Sequence, residues 1–237
     1  MISGTAQLKV DFCTPMASDY ACKNWHYSKR SPFGKNNKFG VWENGKYIGC
    51  IIYGYSATPN VAKGLGLLQN EIVELQRVAL TKHISPVSKI VAISIKLLKK
   101  YSPGLKLIVS FADVDQNHHG GIYQAGNWIY TGISMENVKS GYIVRGKYMH
   151  CRSAGMKGRN TLEWVRMNLD PKAKNFITKG KHRYLMPLKK NIKQQYIKLS
   201  KPYPKRQPSE TGSGNHPEKG GVDPTLALQP AKACQSG

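Results

Sequence analysis

The stretch EIVELQRVALTKHISPVSKIVAISIKLLKKYSPGLKLIVSFA, residues 71–112, decides the fold class. Its first ten residues predict a strand: Val73 and Leu75, continuing to Arg77 and Ala79, share one face, while Ile72, Glu74, Gln76 and Val78 share the other. Ser85-Pro86 predicts a helix start, because a serine side chain can satisfy free amides and proline suits the first helical position. Behind it Val87, Ile90, Val91, Ser94, Ile95 and Leu98 recur at helical spacing. LKLIVSFA, residues 105–112, is apolar throughout and predicts a buried central strand. Strand, helix and strand follow one another, as in an α/β or α+β domain.

Outward from this unit the same logic continues. FGVWENGKYIGCIIYGYS, residues 39–56, alternates about Asn44-Gly45, a dipeptide that takes the positive φ angles of a tight hairpin. Further strands are expected at WIYTG, on either side of Arg145-Gly146-Lys147 in GYIVRGKYMHCRS, and near HRYLMPL; a helix is expected over 188–199. From Gln207 onward Gly, Pro and Ser dominate and no periodicity survives, which predicts a disordered tail over residues 207–237. The expectation is one domain over residues 1–206, with a central mixed, mostly antiparallel sheet flanked by helices.

Charge narrows the partners. The 237 residues carry 36 Lys and Arg against 13 Asp and Glu, a formal net charge of +23, and the first 206 residues hold 34 of the basic and 10 of the acidic groups. Such an excess points to a polyanion, because lysines and arginines displace the counterions condensed on phosphates. A solvated basic face or a membrane surface is the plainer alternative. No run reaches the roughly 18 apolar residues of a spanning helix, and MISGTAQLKVDF lacks a signal-peptide layout, so an intracellular protein is expected. Cys13, Cys22, Cys50, Cys151 and Cys234 are odd in number, widely spaced and free of CxxC pairs, which argues against a disulfide framework or a zinc ribbon.

Three regions could carry chemistry. LTKHISPVS, residues 80–88, presents helix-terminal amides beside Lys82 and His83, a setting that favours an anion. In SFADVDQNHHGGIYQAGNWIYTG, residues 110–132, an apolar strand runs into Asp113, Asp115, His118 and His119, at the strand end where ligands of open α/β sheets usually bind. Gly120-Gly121 then leads into a short helix bearing Tyr123, and Asn127 can end that helix in a left-handed conformation. His118 and His119 read either as turn residues or as metal ligands without HxH or HExxH spacing, and Asp113 either as a site carboxylate or as a cap for loop amides. In CKNWHYSKRSPFG, residues 22–34, Trp25, His26, Tyr27, Lys29, Arg30 and Phe33 interleave rings and charges. They read either as a surface that stacks a base and grips a phosphate, or as a helix end whose aromatics are core and whose basic side chains are solvated. Arg145, Lys147 and Arg152 in RGKYMHCR, and KPYPKR, fit backbone contacts to nucleic acid.

NWHYSKRSP, the ELQRVAL strand before a Ser-Pro helix, SFADxxQxHHGGIYQAGNWIYTG and the closing PYPKR together resemble the Mom family of phage DNA-modification proteins, over about residues 10–206. The family is similar to the GNAT acyltransferases, so the resemblance implies a GNAT-like domain with a splayed strand pair holding an acyl-coenzyme A. On that template Leu75, Gln76 and Arg77 lie on the cofactor-facing strand, and Tyr123 takes the place of the GNAT tyrosine. KHISPVS, with Lys82, His83, Ser85 and Ser88, stands where other GNAT chains have Q/RxxGxG/A. The implied activity is conversion of adenine in double-stranded DNA to its N6-carbamoylmethyl derivative, which protects phage DNA from restriction in the cytoplasm of the bacterial host. Acetyl-CoA is the implied donor and iron a further implied cofactor; acetyl transfer alone would not give that product. The resemblance suggests that His26 and Tyr27 contact the adenine or act as acid and base, and that Ser110, Asp113 and Tyr123 line the cleft, with the base flipped out of the duplex. An acetyltransferase acting on RNA or protein, or a non-catalytic basic DNA-binding protein, are the other readings.

Overall fold

The computed structural model describes residues 6–55, 60–151 and 161–205; the predicted tail and Arg152 lie outside them. The described chain divides into two compact units. The first comprises residues up to Phe111, Gly120–Thr131 and the residues from Tyr184 onward; the second comprises Ala112–His119 and Gly132–Arg183.

The first unit begins with β1 (Leu8–Phe12) and α1 (Pro15–Trp25). Helix α1 starts on a true cap: Thr14 Oγ1 accepts the Ala17 amide at 3.2 Å, with Pro15 entering the first turn. Strands β2 (Asn36–Glu43) and β3 (Lys46–Gly54) form the predicted hairpin, with Asn44 at φ +52° and Gly45 at φ +78°. The short α2 (Asn60–Gly64) precedes β4 (Ile72–Leu80), α3 (Val87–Tyr101) and β5 (Leu107–Asp113), the expected strand, helix and strand. After α4 (Gly121–Gln124) and β6 (Ile129–Ser134) the chain builds β7 (Val138–Val144), β8 (Lys147–His150), α5 (Leu162–Asn168) and β9 (Lys174–Thr178), and ends with β10 (Lys181–Pro187) and α6 (Lys190–Ile197).

Seven strands form one sheet in the order β1-β2-β3-β4-β5-β10-β6. Neighbours from β1 to β4 are antiparallel and β4 with β5 is parallel, so this is the expected mixed sheet flanked by helices. Helix α1 buries Ala17, Ala21 and Cys22 against Cys50, Ile52 and Ala79. On the other face Tyr53 of β3 hydrogen-bonds Ser94 of α3 at 2.7 Å. In the second unit β8-β7-β9 form an antiparallel sheet, and Tyr142, Val165 and Ala173 make its core with α5. The chain turns from β7 to β8 at Arg145-Gly146, within the expected Arg145-Gly146-Lys147 turn, and both residues are at positive φ.

Two expectations are corrected. The alternation of β4 breaks at a bulge: Tyr53 faces Leu75 but Ile52 faces Arg77, leaving Gln76 as the extra residue. Arg77 and Ala79 therefore lie with Ile52 and Cys50 on the α1 face rather than with Val73 and Leu75. Ser85 is not the helix cap. Pro86 occupies that position, and the amides of Ile84 and Ser85 donate instead to Glu43, at 2.7 and 2.8 Å. These bonds hold the Glu43 carboxyl below its usual range although the residue is only 6% exposed.

Candidate active site

The parallel ladder between β4 and β5 pairs Ile72–Glu74 with Leu107–Val109 and goes no further, although β4 runs on to Leu80 and β5 to Asp113. Beyond Val109 a side chain replaces the ladder. Ser110, fully buried, sets its Oγ 3.0 Å from the Leu75 carbonyl and 2.8 Å from the Tyr123 hydroxyl. Ser110 donates to the Tyr123 oxygen, with the Leu75 carbonyl as the alternative acceptor of its single hydrogen, so the phenol hydrogen is left for a reacting group. Burial pushes the Tyr123 hydroxyl up to about 12, so at neutral pH it keeps its proton and can serve as an acid.

The segment after β5 delivers this tyrosine as the sequence predicts. Gly120 is at φ +81° and opens α4, which carries Tyr123; Asn127 at φ +56° ends the turn. A Cβ at Gly120 would stand 2.3 Å from the Tyr184 ring, so the close approach here is to an aromatic wall. The Tyr123 ring packs 5.1 Å from both Trp128 and Tyr184. PYPKR closes the same wall: Tyr203 donates to the Trp128 carbonyl at 2.7 Å, and Gln124 donates to the Pro204 carbonyl at 3.1 Å.

The residues after α1 form the other side of the first unit's site. His26 is 9% exposed and its ring lies 4.4 Å from that of Tyr27, which is 53% exposed. The Ser28 amide donates to His26 Nδ1 at 3.1 Å, which puts the ring hydrogen of the neutral form on Nε2. In that form Nε2 is a donor and not an acceptor. Tyr27 and Glu74 lie close enough to Tyr123 to add to the upward push on its hydroxyl. Arg77 ties this segment to the bulge, donating to the Arg30 carbonyl at 3.2 Å and to the Gln76 carbonyl at 2.7 Å.

The remaining predicted residues fall in several settings. Trp25 packs edge-on against Tyr20 and beside Tyr47, while Lys29 donates to the Asn24 carbonyl at 2.9 Å and Arg30 is exposed. Beyond β4, Lys82 is exposed, His83 bonds the Thr81 carbonyl at 2.7 Å, Ser85 is buried and Ser88 half-buried. In the second unit Asp113 caps the turn after β5, accepting the Asp115 amide at 3.0 Å, with Lys181 at 3.9 Å. His118 donates its amide to the Asp113 carbonyl, and His119 helps burial to hold His182 below the usual imidazole range. Arg145 donates its amide to Asp170 at 2.6 Å and its guanidinium to the Leu169 carbonyl at 3.3 Å; Lys147 is exposed. Among the described residues no group of three or more His, Cys, Asp and Glu side chains is gathered as for a metal ion. The buried relay stands where the ladder between β4 and β5 has stopped.

The Mom protein family model matches residues 7–205, and the chain belongs to that family. The methylcarbamoylase Mom of Escherichia phage Mu is 24% identical over 212 residues, covering 85% of this chain and 86% of that protein. Similar solved structures include a Bacillus subtilis acetyltransferase in complex with CoA, at 10% identity and a TM-score of 0.41, covering 78% of this chain and 100% of the other. Spermidine N-acetyltransferase from Vibrio cholerae, in complex with CoA and spermine, is similar at 9% identity and a TM-score of 0.41, over 76% and 95%. At that level the chemistry has to be argued from the chain's own residues.

Proposed function

We propose that the protein is a DNA-modifying transferase that alters adenine at N6 in double-stranded DNA, giving the carbamoylmethyl derivative and shielding phage DNA from restriction. The observation that carries this reading is the Ser110–Tyr123 relay bonded to the Leu75 carbonyl where β4 and β5 part. Membership of the Mom family and the methylcarbamoylase relative support the substrate class.

Acetyl-CoA would supply the two carbons of the added group; the N6–CH2 bond and the terminal amide also require an oxidant for the methyl carbon and a nitrogen donor, which acyl transfer does not provide. The extended, amide-bearing arm of the coenzyme fits strands whose mutual ladder stops at Glu74 and Val109. The diphosphate end fits a narrower set of donors, because Glu43 already takes the amides of Ile84 and Ser85. Val87 and Ser88 amides, which have no acceptor within a helix, and the Lys82 ammonium would remain for it. In the chain's own chemistry Tyr123 holds a proton ready for a leaving group, Ser110 fixes the direction of its hydroxyl, and His26 and Tyr27 orient the base. Asp113 already caps its loop, so its contribution there is to fix the end of β5.

The test is mass spectrometry of nucleosides from the DNA of bacteria expressing the full chain. A carbamoylmethyl-adenosine peak is expected. Tyr123→Phe should reduce it by about a hundredfold or more, the range of general-acid contributions. Folded, abundant protein with unmodified DNA, or a Tyr123→Phe variant of full activity, would overturn the reading.

A further inference from the structure

In the second unit α5 covers one face of the three-stranded sheet, and the opposite face carries rings. Residues paired across antiparallel strands share a face, so the register places these side chains. One rung runs Tyr148 of β8, Ile143 of β7 and Lys174 of β9; another runs His150, Gly141 and Phe176. Tyr142, between these rungs on β7, points the other way and packs with Val165 and Ala173. The three strands contain no Asp or Glu, while each contains a lysine: Lys139, Lys147 and Lys174.

Gly141 shapes this face. With no side chain at the centre of its rung, the Tyr148 ring leans across it: a Cβ there would stand 2.7 Å from Tyr148 Cε2. The ring reaches diagonally to Phe176, with centroids 4.9 Å apart and planes at 64°, and lies 6.5 Å from the His150 ring. Its hydroxyl donates to the carbonyl of Ser140, the extra residue of a bulge in β7, at 3.3 Å. Tyr148 is thus held in place without being buried. It is 50% exposed, and His150 and Lys174 are exposed beside it. A ring already fixed in direction loses little freedom when a flat partner stacks on it.

We infer that Tyr148 and Phe176 form a stacking platform for an unpaired base of a DNA strand, with the Lys174 ammonium on the same face for the phosphate backbone. Every base has a flat face that can stack on a ring, and phosphates supply the negative charge that strands bearing lysines and no carboxylates attract. A closed duplex hides the faces of its bases and offers such a platform only backbone. The inference rests on the proposed reaction, which takes a base out of the duplex and so leaves bases unpaired. It adds a surface in the second unit that holds the opened strand.

The experiment titrates purified full-length protein with a short single strand of thymidines and with an abasic strand of the same length, which keeps every phosphate and lacks the bases. Thymine is not the proposed target, so the reacting pocket stays out of the measurement. Wild type should bind the thymidine strand about tenfold or more tighter, as stacking of a base on a ring implies. Tyr148→Ala should remove most of that difference and leave abasic binding unchanged, while Tyr148→Phe, which keeps the ring, should retain it. Phe176→Ala should act as Tyr148→Ala does and serves if that variant fails to fold. Lys174→Gln should weaken both strands alike and lower the salt slope by about 0.7. Equal wild-type affinity for the two strands, or folded alanine variants that keep the difference, would overturn the platform and leave the face to a partner of another kind. The proposed reaction is judged separately: modified DNA without base-dependent strand binding removes only the platform, and base-dependent binding with unmodified DNA removes the reaction and retains the platform.

Discussion

Ser110 shows how much one buried hydroxyl can decide. It stands within bonding distance of both the Leu75 carbonyl, where the strand ladder ends, and the Tyr123 hydroxyl. Ser110→Ala should leave both without a partner, lowering activity through a misdirected Tyr123; Ser110→Thr, which keeps the oxygen, should retain more of it in the same nucleoside assay. Glu43 makes a different prediction. Its folded-state pKa lies below the ordinary value because two amides bond the carboxylate, so its stabilising contribution is present above the ordinary carboxylate range and is lost as pH falls through the lowered value. Glu43→Gln should flatten the acid limb of stability against pH, read by thermal melts across that window. At this scale Tyr123, Gly120 and Asn127 were legible, because positive φ and a short helix leave local signatures. The role of Glu43 was not, because the amides it takes, of Ile84 and Ser85, are distant from it in sequence.

Among the elements, two similar dipeptides have different fates. Thr14-Pro15 starts α1 with a real side-chain cap, whereas Ser85-Pro86 precedes α3 without one. Thr14→Ala should therefore cost about 1 kcal/mol in chemical denaturation. Strand β1 escaped the sequence reading and α1 entered it only as the helix end that was one reading of residues 22–34, although that Thr-Pro signal was present; α5 and β9 escaped it as short elements of weak periodicity. The strand-helix-strand unit was legible throughout, since its apolar spacing is local. The bulge was not: it is a mismatch between β4 and β3, and alternation within β4 alone gives no sign of it. Phe33, exposed between Arg30 and Lys35, belongs to a segment read as ring and charge together. Phe33→Ala should weaken modification of duplex more than of single-stranded DNA if that ring helps to hold the helix open.

For the molecule as a whole, a formal charge of +23 makes DNA affinity a poor measure of function, because charge alone yields it. Affinity should fall steeply and linearly with added salt on logarithmic axes. Neutralising Lys29 and Arg30 together should lower the slope by about two and weaken binding to all sequences alike, measured by titration at several salt concentrations. No helix among the described residues is long and apolar enough to cross a membrane.

The docking of Tyr203 and Pro204 on Trp128 and Gln124 sets where the working polypeptide can be cut. Lys201 also donates its amide to the Tyr130 carbonyl, at 2.9 Å. The last residues before the Gly- and Pro-rich end are thus a clasp on the tyrosine's own support. A protease that nicks after Lys205 should leave a competent enzyme; one that trims back past Lys201 should release the clasp and silence it, with most of the sheet still folded.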